Sequence, residues 1–363
     1  MLASKEKISI RQLMLILFVI TYTPTMRAIP VHTAKTAHQA AWLSPLITLA
    51  AVIPVILMFS SIYKKYKEES FMEITEDIFG KIAGKIITIL YITLLTLLSA
   101  VNSRNYAEKL VATMFPNVNV MVFLVIMLAF VAFILRKSGL VVLARMNEII
   151  FPILVTIFLS VFLLALKDIK ISRITPISPL DFFPVLQGSS VVTAVFSHLP
   201  FLFLLSNNVN NKEKLKKVCL PAAGILAFLI MVLIIVCIGM LGTSTIELTR
   251  IPFVTAVKQV SLFHTLERVE AAVISQWIFS DFMLISIMLL IVLNLFKSLL
   301  KLSDTKPFIG IYSVINLLFS LMLARNIGEL EPFISTVMYP TIIFLGFAMP
   351  VFVFVVGKIR KKL

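Results

Sequence analysis

Three acidic residues fall in a stretch of otherwise apolar character, "TLERVEAAVISQWIFSDF", Thr265 to Phe282. At 100° per residue, Glu267, Glu270 and Asp281 lie within about 60° of one another on a helix, and Ile274 and Trp277 share that face. The apolar run continues through "MLISIMLLIVLNLF", which puts Asp281 about 21 Å deeper than Glu267. A charge at that depth in a bilayer costs about 3 kcal/mol or more unless it is paired or hydrated. The acidic face is therefore expected to point into protein or water. A carboxyl there can take up a proton, line a polar pathway beside Trp277, or close an ion pair. Arg145 and Glu148, spaced i,i+3 in another apolar run, are expected as buried charges that satisfy each other, with Arg145 an alternative partner for Asp281. Arg104 and Glu108 form an i,i+4 pair in a third run. Interfacial solvation alone suffices for Glu267 and Glu270.

Enzyme chemistry finds no foothold. There is no Cys/His metal spacing, no Gly-rich phosphate loop and no Ser/His/Asp arrangement, so neither a cofactor nor a metal is expected. Cys219 and Cys237 sit on one predicted helix, about 27 Å apart, too far to bridge.

The elements that carry these charges follow from composition. The 363 residues are 60% hydrophobic and 14% charged, with mean hydropathy +1.03. Continuous apolar runs of about 20 residues recur, as membrane helices require, and they do not alternate as barrel strands would. Ten spans are predicted, near 8–31, 40–62, 84–110, 118–135, 139–166, 183–206, 215–241, 267–296, 306–324 and 333–356. They form a single transmembrane domain over 1–363. The basic flank and short apolar core at the start resemble a signal peptide, but Pro24 and Arg27 follow the core, and it is read as a retained first span. With both termini cytoplasmic, 21 of the 33 basic residues fall on inner segments, Lys67 and Lys212 among them, while Lys170 and Arg250 lie outside. That bias, rather than nucleic-acid binding, accounts for the net charge of +15. The segment from Tyr63 to Lys85 is expected to lie on the inner surface as an amphipathic helix, and Ile251, Val254, Val257 and Val260 or Ser261 mark either a lid-like helix on the outer one or a plain surface connector.

Two spans do not read as simple rods. The first passes from Leu13–Ile20 into "TYTPTMRAIP", where Pro24 removes a backbone donor, and a break is expected over Thr23–Met26. The alternative is a Pro kink near the outer interface, with Arg27 snorkelling. The sixth has Gly188, Ser189 and Ser190, then "FSHLP" at Phe196–Pro200, and a second break is expected at Ser197–Pro200. Interrupted segments in corresponding positions point to a 5+5 inverted repeat, with halves at about 8–166 and 183–356. The two breaks should face each other across a central cavity, with Trp277 and Asp281 on a third side. The expected ligand set is Tyr22, Thr23, Thr25, Met26, Ser197, His198, Trp277 and Asp281. No glycine precedes Gly80, so Thr25 and His198 rather than backbone amides would set specificity. That favours a weakly polar ligand over a zwitterion.

Several stretches in order, "FMEITEDIFGKIAGKIITILY", "LARMNEIIFP" and "TRIPFVTAVKQVSL" followed by "LERVEAAVISQWIFSDF", make the chain resemble the B subunits of endospore germinant receptors. These are the GerAB-like spore germination permeases of the amino acid–polyamine–organocation superfamily. The resemblance runs over essentially the whole chain. It implies an all-α, LeuT-like fold with broken helices 1 and 6, and a small amino-acid-like germinant bound between them. It also implies A-type and lipoprotein C-type partner subunits, residence in the spore inner membrane or the cell membrane, and sensing rather than established transport. A proton-coupled amino-acid transporter, with Asp281 or Glu148 titrating, and a scaffold with a vestigial site are the competing expectations.

Overall fold

The structure, a computed structural model, describes residues 7–137, 139–249, 251–259 and 269–363, and side chains within these except those of 269–272. It is built almost wholly of helices. In chain order a short strand β1 (Ile8–Ser9) leads into α1 (Ile10–Ala37) and α2 (Ser44–Lys65). The short α3 (Phe71–Phe79) is followed by α4 (Lys81–Thr113), α5 (Val120–Lys137) and α6 (Leu140–Ala165). Next come α7 (Phe182–Phe196), α8 (His198–Phe203), strand β2 (Val209–Asn210) and α9 (Leu215–Leu241). The chain goes on with α10 (Thr243–Leu248), α11 (Pro252–Gln259), α12 (Val269–Leu300) and α13 (Lys306–Met322). It ends in α14 (Ile327–Phe333), α15 (Tyr339–Ile343) and α16 (Met349–Ile359), joined by π-helical turns at Ile334–Met338 and Phe344–Ala348.

Among the described residues, eight stretches are long and apolar enough to cross a membrane. The first, Ile10–Lys65, contains both α1 and α2, and α13 is a shorter apolar helix. The expected ten spans correspond to counting α1, α2 and α13 separately.

Local chemistry sets the helix starts. Ser9 caps α1 by accepting from the Gln12 N–H at 3.2 Å, while the Gln12 side chain accepts from the Ser9 N–H at 2.8 Å. Ser70 and Glu73 repeat this reciprocal cap on α3. Gly80, at φ +92°, turns the chain from α3 into α4.

Helix α1 is the axis of the fold, packed against α6, α7, α9 and α12. It runs unbroken through Pro24 and Pro30, which corrects the expected break at Thr23–Met26. The physical reason lies on α12. Ser280 reaches into α1, where its hydroxyl donates to Val19 O at 2.6 Å and accepts from the Thr23 N–H at 3.1 Å. A neighbouring side chain thus stitches the ladder beside the proline, one of the ways a membrane helix tolerates Pro. The other expected interruption, over Ser197–Pro200, is narrowed to a turn at Ser197, with His198–Pro200 back in helix. Ser197 separates α7 from α8, and the glycine of the second π-helical turn packs onto it: a Cβ on Gly346 would lie 2.5 Å from Ser197 Cβ.

The end of the molecule that carries β1 and the C-terminal tail is sealed by polar contacts. β1 pairs in parallel with β2, Lys7 pairs with Glu68, and Lys212 Nζ donates to Lys67 O at 2.6 Å. Tyr63 donates to Phe203 O at 2.7 Å. The C-terminal tail is clamped where Lys362 Nζ meets Asp77 at 2.7 Å, Tyr66 donates to the same carboxylate at 2.6 Å, and Arg360 donates to Ile78 O at 2.8 Å.

Candidate binding site

At the opposite end a cavity of about 500 Å³ opens between α1, α4, α10 and α14. Arg27, His32 and Lys35 line it from α1, and Lys109 and Glu331 face it from α4 and α14. Lys109 Nζ and Glu331 Oε1 are 2.5 Å apart, an ion pair that ties α14 to α4 at the cavity wall. A second, smaller cavity of about 60 Å³ is lined by residues of α1, α4, α7, α8, the first π-helical turn and α15. Pro24, Arg27, Asn105, His198 and Tyr339 are among them, with apolar walls from Leu98 and Val195. Arg27, Ala28, Asn105, Ile334 and Tyr339 line both cavities, so the wide vestibule leads onto the small pocket.

Polar atoms without partners collect here. His198 is 3% exposed. Its Nδ1 lies 2.8 Å from Val195 O. A carbonyl can only accept, so Nδ1 carries the proton and Nε2 keeps an acceptor lone pair. That Nε2, Asn105 Oδ1 and Arg27 Nε are all buried without a hydrogen-bond partner. A buried polar group left unpaired costs about 1–3 kcal/mol, and the exceptions to pairing concentrate where a ligand or water belongs.

Arg27 is held from behind. Its terminal nitrogen pairs with Asp281, and its guanidinium lies 5.9 Å from the centre of the Trp277 ring. Arg27 was expected at the interface only if α1 kinked rather than broke, and Arg145 was the suggested partner of Asp281. The structure buries Arg27 and makes it that partner, because the α12 face bearing Trp277, Ser280 and Asp281 packs on α1. The same seam joins Tyr22 to Gln276 and Thr23 Oγ1 to Trp277 O at 3.3 Å.

The family model described as "Spore germination protein" matches residues 7–328. The chain belongs to the spore germination protein family. Among its relatives are two spore germination proteins of Bacillus subtilis (strain 168). YndE is 24% identical over 91% of this chain and 90% of its own length. Protein KB is 23% identical over 99% and 96%. The fold is that of LeuT-type transporters. The MhsT complex with L-phenylalanine superposes with a TM-score of 0.71 at 13% identity, covering 97% of this chain and 89% of that one. A Na+-coupled sialic acid symporter does so at 0.65 and 12% identity, covering 94% and 79%.

In this protein the residues expected to share one cavity are divided by α1. Tyr22, Thr25 and Met26 line a separate apolar cavity of about 50 Å³ against Phe151, Phe158 and Leu226. Ser197 forms the break itself and donates to Thr193 O at 3.1 Å. Thr23, Trp277 and Asp281 belong to the α1–α12 seam. Of the expected ligand set, His198 alone lines the small pocket. Arg104 and Glu108 pair as expected, 2.7 Å apart, and Arg104 also donates to Ser320 O and Arg325 O, so this pair caps the end of α13. Arg145 and Glu148 are exposed, a correction to their expected burial. The buried face of α6 carries Leu143, Ala144, Asn147 and Leu154, and the two charges fall on its other side. Glu267 lies outside the described residues, as does the side chain of Glu270.

Sequence reasoning missed Arg27 and Asn105 as site residues. A signal for Arg27 was there: an arginine one turn beyond Pro24 in one apolar run, and in another an aspartate whose suggested partner, Arg145, already had Glu148 within reach.

Proposed function

We propose that this protein is the membrane subunit of a spore germinant receptor. A small nutrient germinant enters through the vestibule, settles in the pocket between α1, α4 and the α7–α8 break, and changes how the subunit engages A-type and C-type partners. The reading rests above all on one observation: a vestibule leads to a small pocket bearing unpaired buried polar atoms, in a chain whose other end is sealed. Family membership supports the germination role, and the fold neighbour holding L-phenylalanine supports an amino-acid-like ligand. The protein sits in the spore inner membrane with both termini cytoplasmic, as one transmembrane domain of two inverted halves, near 8–166 and 183–356.

Ala28 lines both cavities, so Ala28→Trp tests the reading. Spores carrying it should contain normal amounts of the protein and lose their germinant response. An unchanged response removes the vestibule from the function. A second reading, a proton-coupled amino-acid transporter, draws on the symporter among the fold neighbours. Uptake of labelled amino acids into proteoliposomes holding this chain alone would favour it.

A further inference from the structure

Arg145 and Glu148 lie on the outward face of α6, and neither closes an ion pair or hydrogen bond with a described residue. On the other membrane-crossing helices the exposed charges among the described residues keep to the helix ends, as Lys64 and Lys65 do on α2, Lys216 and Lys217 on α9 and Lys358 on α16. Arg145 sits about 8 Å along α6 from its start at Leu140, and Glu148 about 12 Å. A long arginine can snorkel back to the surface, but a carboxylate one turn deeper falls short of it. Pro152, four residues on and inside the helix, has no N–H for the Glu148 carbonyl, so the same turn holds a second acceptor in need of a donor. This face runs the length of the helix. Arg145, Ile149, Pro152, Thr156, Leu159 and Leu163 are all exposed and follow one another at alternating spacings of four and three, the seam along which one helix packs on another. The stretch that holds α6, Leu140–Asp168, is also the least buried of the eight that can cross a membrane, at 22%.

Charge decides what can cover such a seam. Acyl chains alone leave both charges bare. An anionic headgroup would answer Arg145 and repel Glu148. A second copy shares this chain's orientation in the membrane, so a two-fold pair of α6 seams would set Arg145 beside Arg145, and the other outward faces offer no charge at this depth. We propose that the α6 seam docks a transmembrane helix of a different protein, one that carries an acidic residue level with Arg145 and a basic or hydrogen-bond-donating residue level with Glu148. The proposal takes from the reading above only that the chain works beside other subunits. In that contact the two charges hold the helices in register, and Ile149, Pro152, Thr156 and Leu163 supply the packing around them.

The test keeps the full chain in the membranes of the spores that carry it. The photo-reactive residue p-benzoylphenylalanine is placed at Ile149, Thr156 or Leu163 on the seam, or at Phe352, an outward position on α16 that is 51% exposed, and crosslinked peptides are sequenced after irradiation. The seam positions should yield adducts to one different protein, within a membrane-crossing stretch that contains Asp or Glu, and Phe352 should not. Arg145→Glu should lower that yield by about tenfold or more, since like charges then meet, and reversing the acid on the docked helix should restore it. The purified Arg145→Leu chain should melt within about 2 °C of native and still lose the adducts, because the charge serves the contact and not the chain's own fold. Adducts to lipid alone, to a second copy or to a stretch without an acid overturn the proposal, as does an unchanged yield in Arg145→Glu, the same adducts at Phe352, or a destabilised Arg145→Leu chain. The germinant-site reading fails separately, through a normal spore response in the Ala28→Trp strain.

Discussion

The buried Arg27–Asp281 pair should behave as a unit whose halves cannot be removed singly. Asp281 is 2% exposed and Arg27 9%, and the pair joins the two helices that frame the core of the molecule. Asp281→Asn leaves a guanidinium with an unpaired Nε, no facing carboxylate and one aromatic ring 5.9 Å away. Breaking a buried pair in this way costs about 3–5 kcal/mol, whereas replacing both partners by apolar residues of similar size is neutral or stabilising by about 1–4 kcal/mol. At roughly 2 °C per kcal/mol for a large chain, Asp281→Asn should lower the melting midpoint by about 6–10 °C. The double variant Arg27→Met/Asp281→Leu should melt at or above the native midpoint. Fluorescence-detected unfolding in one detergent at one heating rate measures both. A single variant within about 2 °C of native, or a double variant as unstable as the single, would refute the assignment of Arg27 and Asp281 as mutual partners.

Three further outcomes are expected. Ser280→Ala removes the hydroxyl that bridges Val19 O and the Thr23 N–H, and should cost about 1–3 kcal/mol in the same unfolding assay; an unchanged midpoint would mean the proline-bearing helix needs no such stitch. Gly346→Ala places a Cβ 2.5 Å from that of Ser197 and should destabilise by about 1–3 kcal/mol, with partial recovery when Ser197→Gly is added; a neutral Gly346→Ala would show that the contact at the α7–α8 break is loose. At the sealed end, the hydrogen bond from Lys362, followed by that from Tyr66, holds the Asp77 carboxyl below the usual carboxylate range. A depressed folded value means the clamp contributes fully above the ordinary carboxylate pKa and is lost as pH falls through the depressed one. Carboxypeptidase should then remove the C-terminal tail faster on acidification in the native protein, and Asp77→Asn should abolish that pH dependence.

Much of this protein was legible in its sequence because the bilayer leaves few choices. An apolar run of about 20 residues must be a helix with every backbone group paired inside it. That constraint yields the helical class, and local spacing yields the amphipathic α3 and the i,i+4 pair of Arg104 and Glu108. It also places His198 at an interruption, since "FSHLP" disturbs the helix wherever it is packed. What the sequence could not decide was which faces meet. Pro24 marks a missing donor, but Ser280, more than 250 positions away, decides that α1 stays whole. Asp281 requires a partner by energetics alone. Whether that partner is Arg145 or Arg27 depends on how α6 and α12 are rotated against α1, and a one-residue change of angle separates the pocket of Arg27 and Ala28 from that of Thr25 and Met26. Helical periodicity sets the content of each face, while only the packing of the helices sets its neighbour, because burial energy is shared among many contacts and no single residue encodes it.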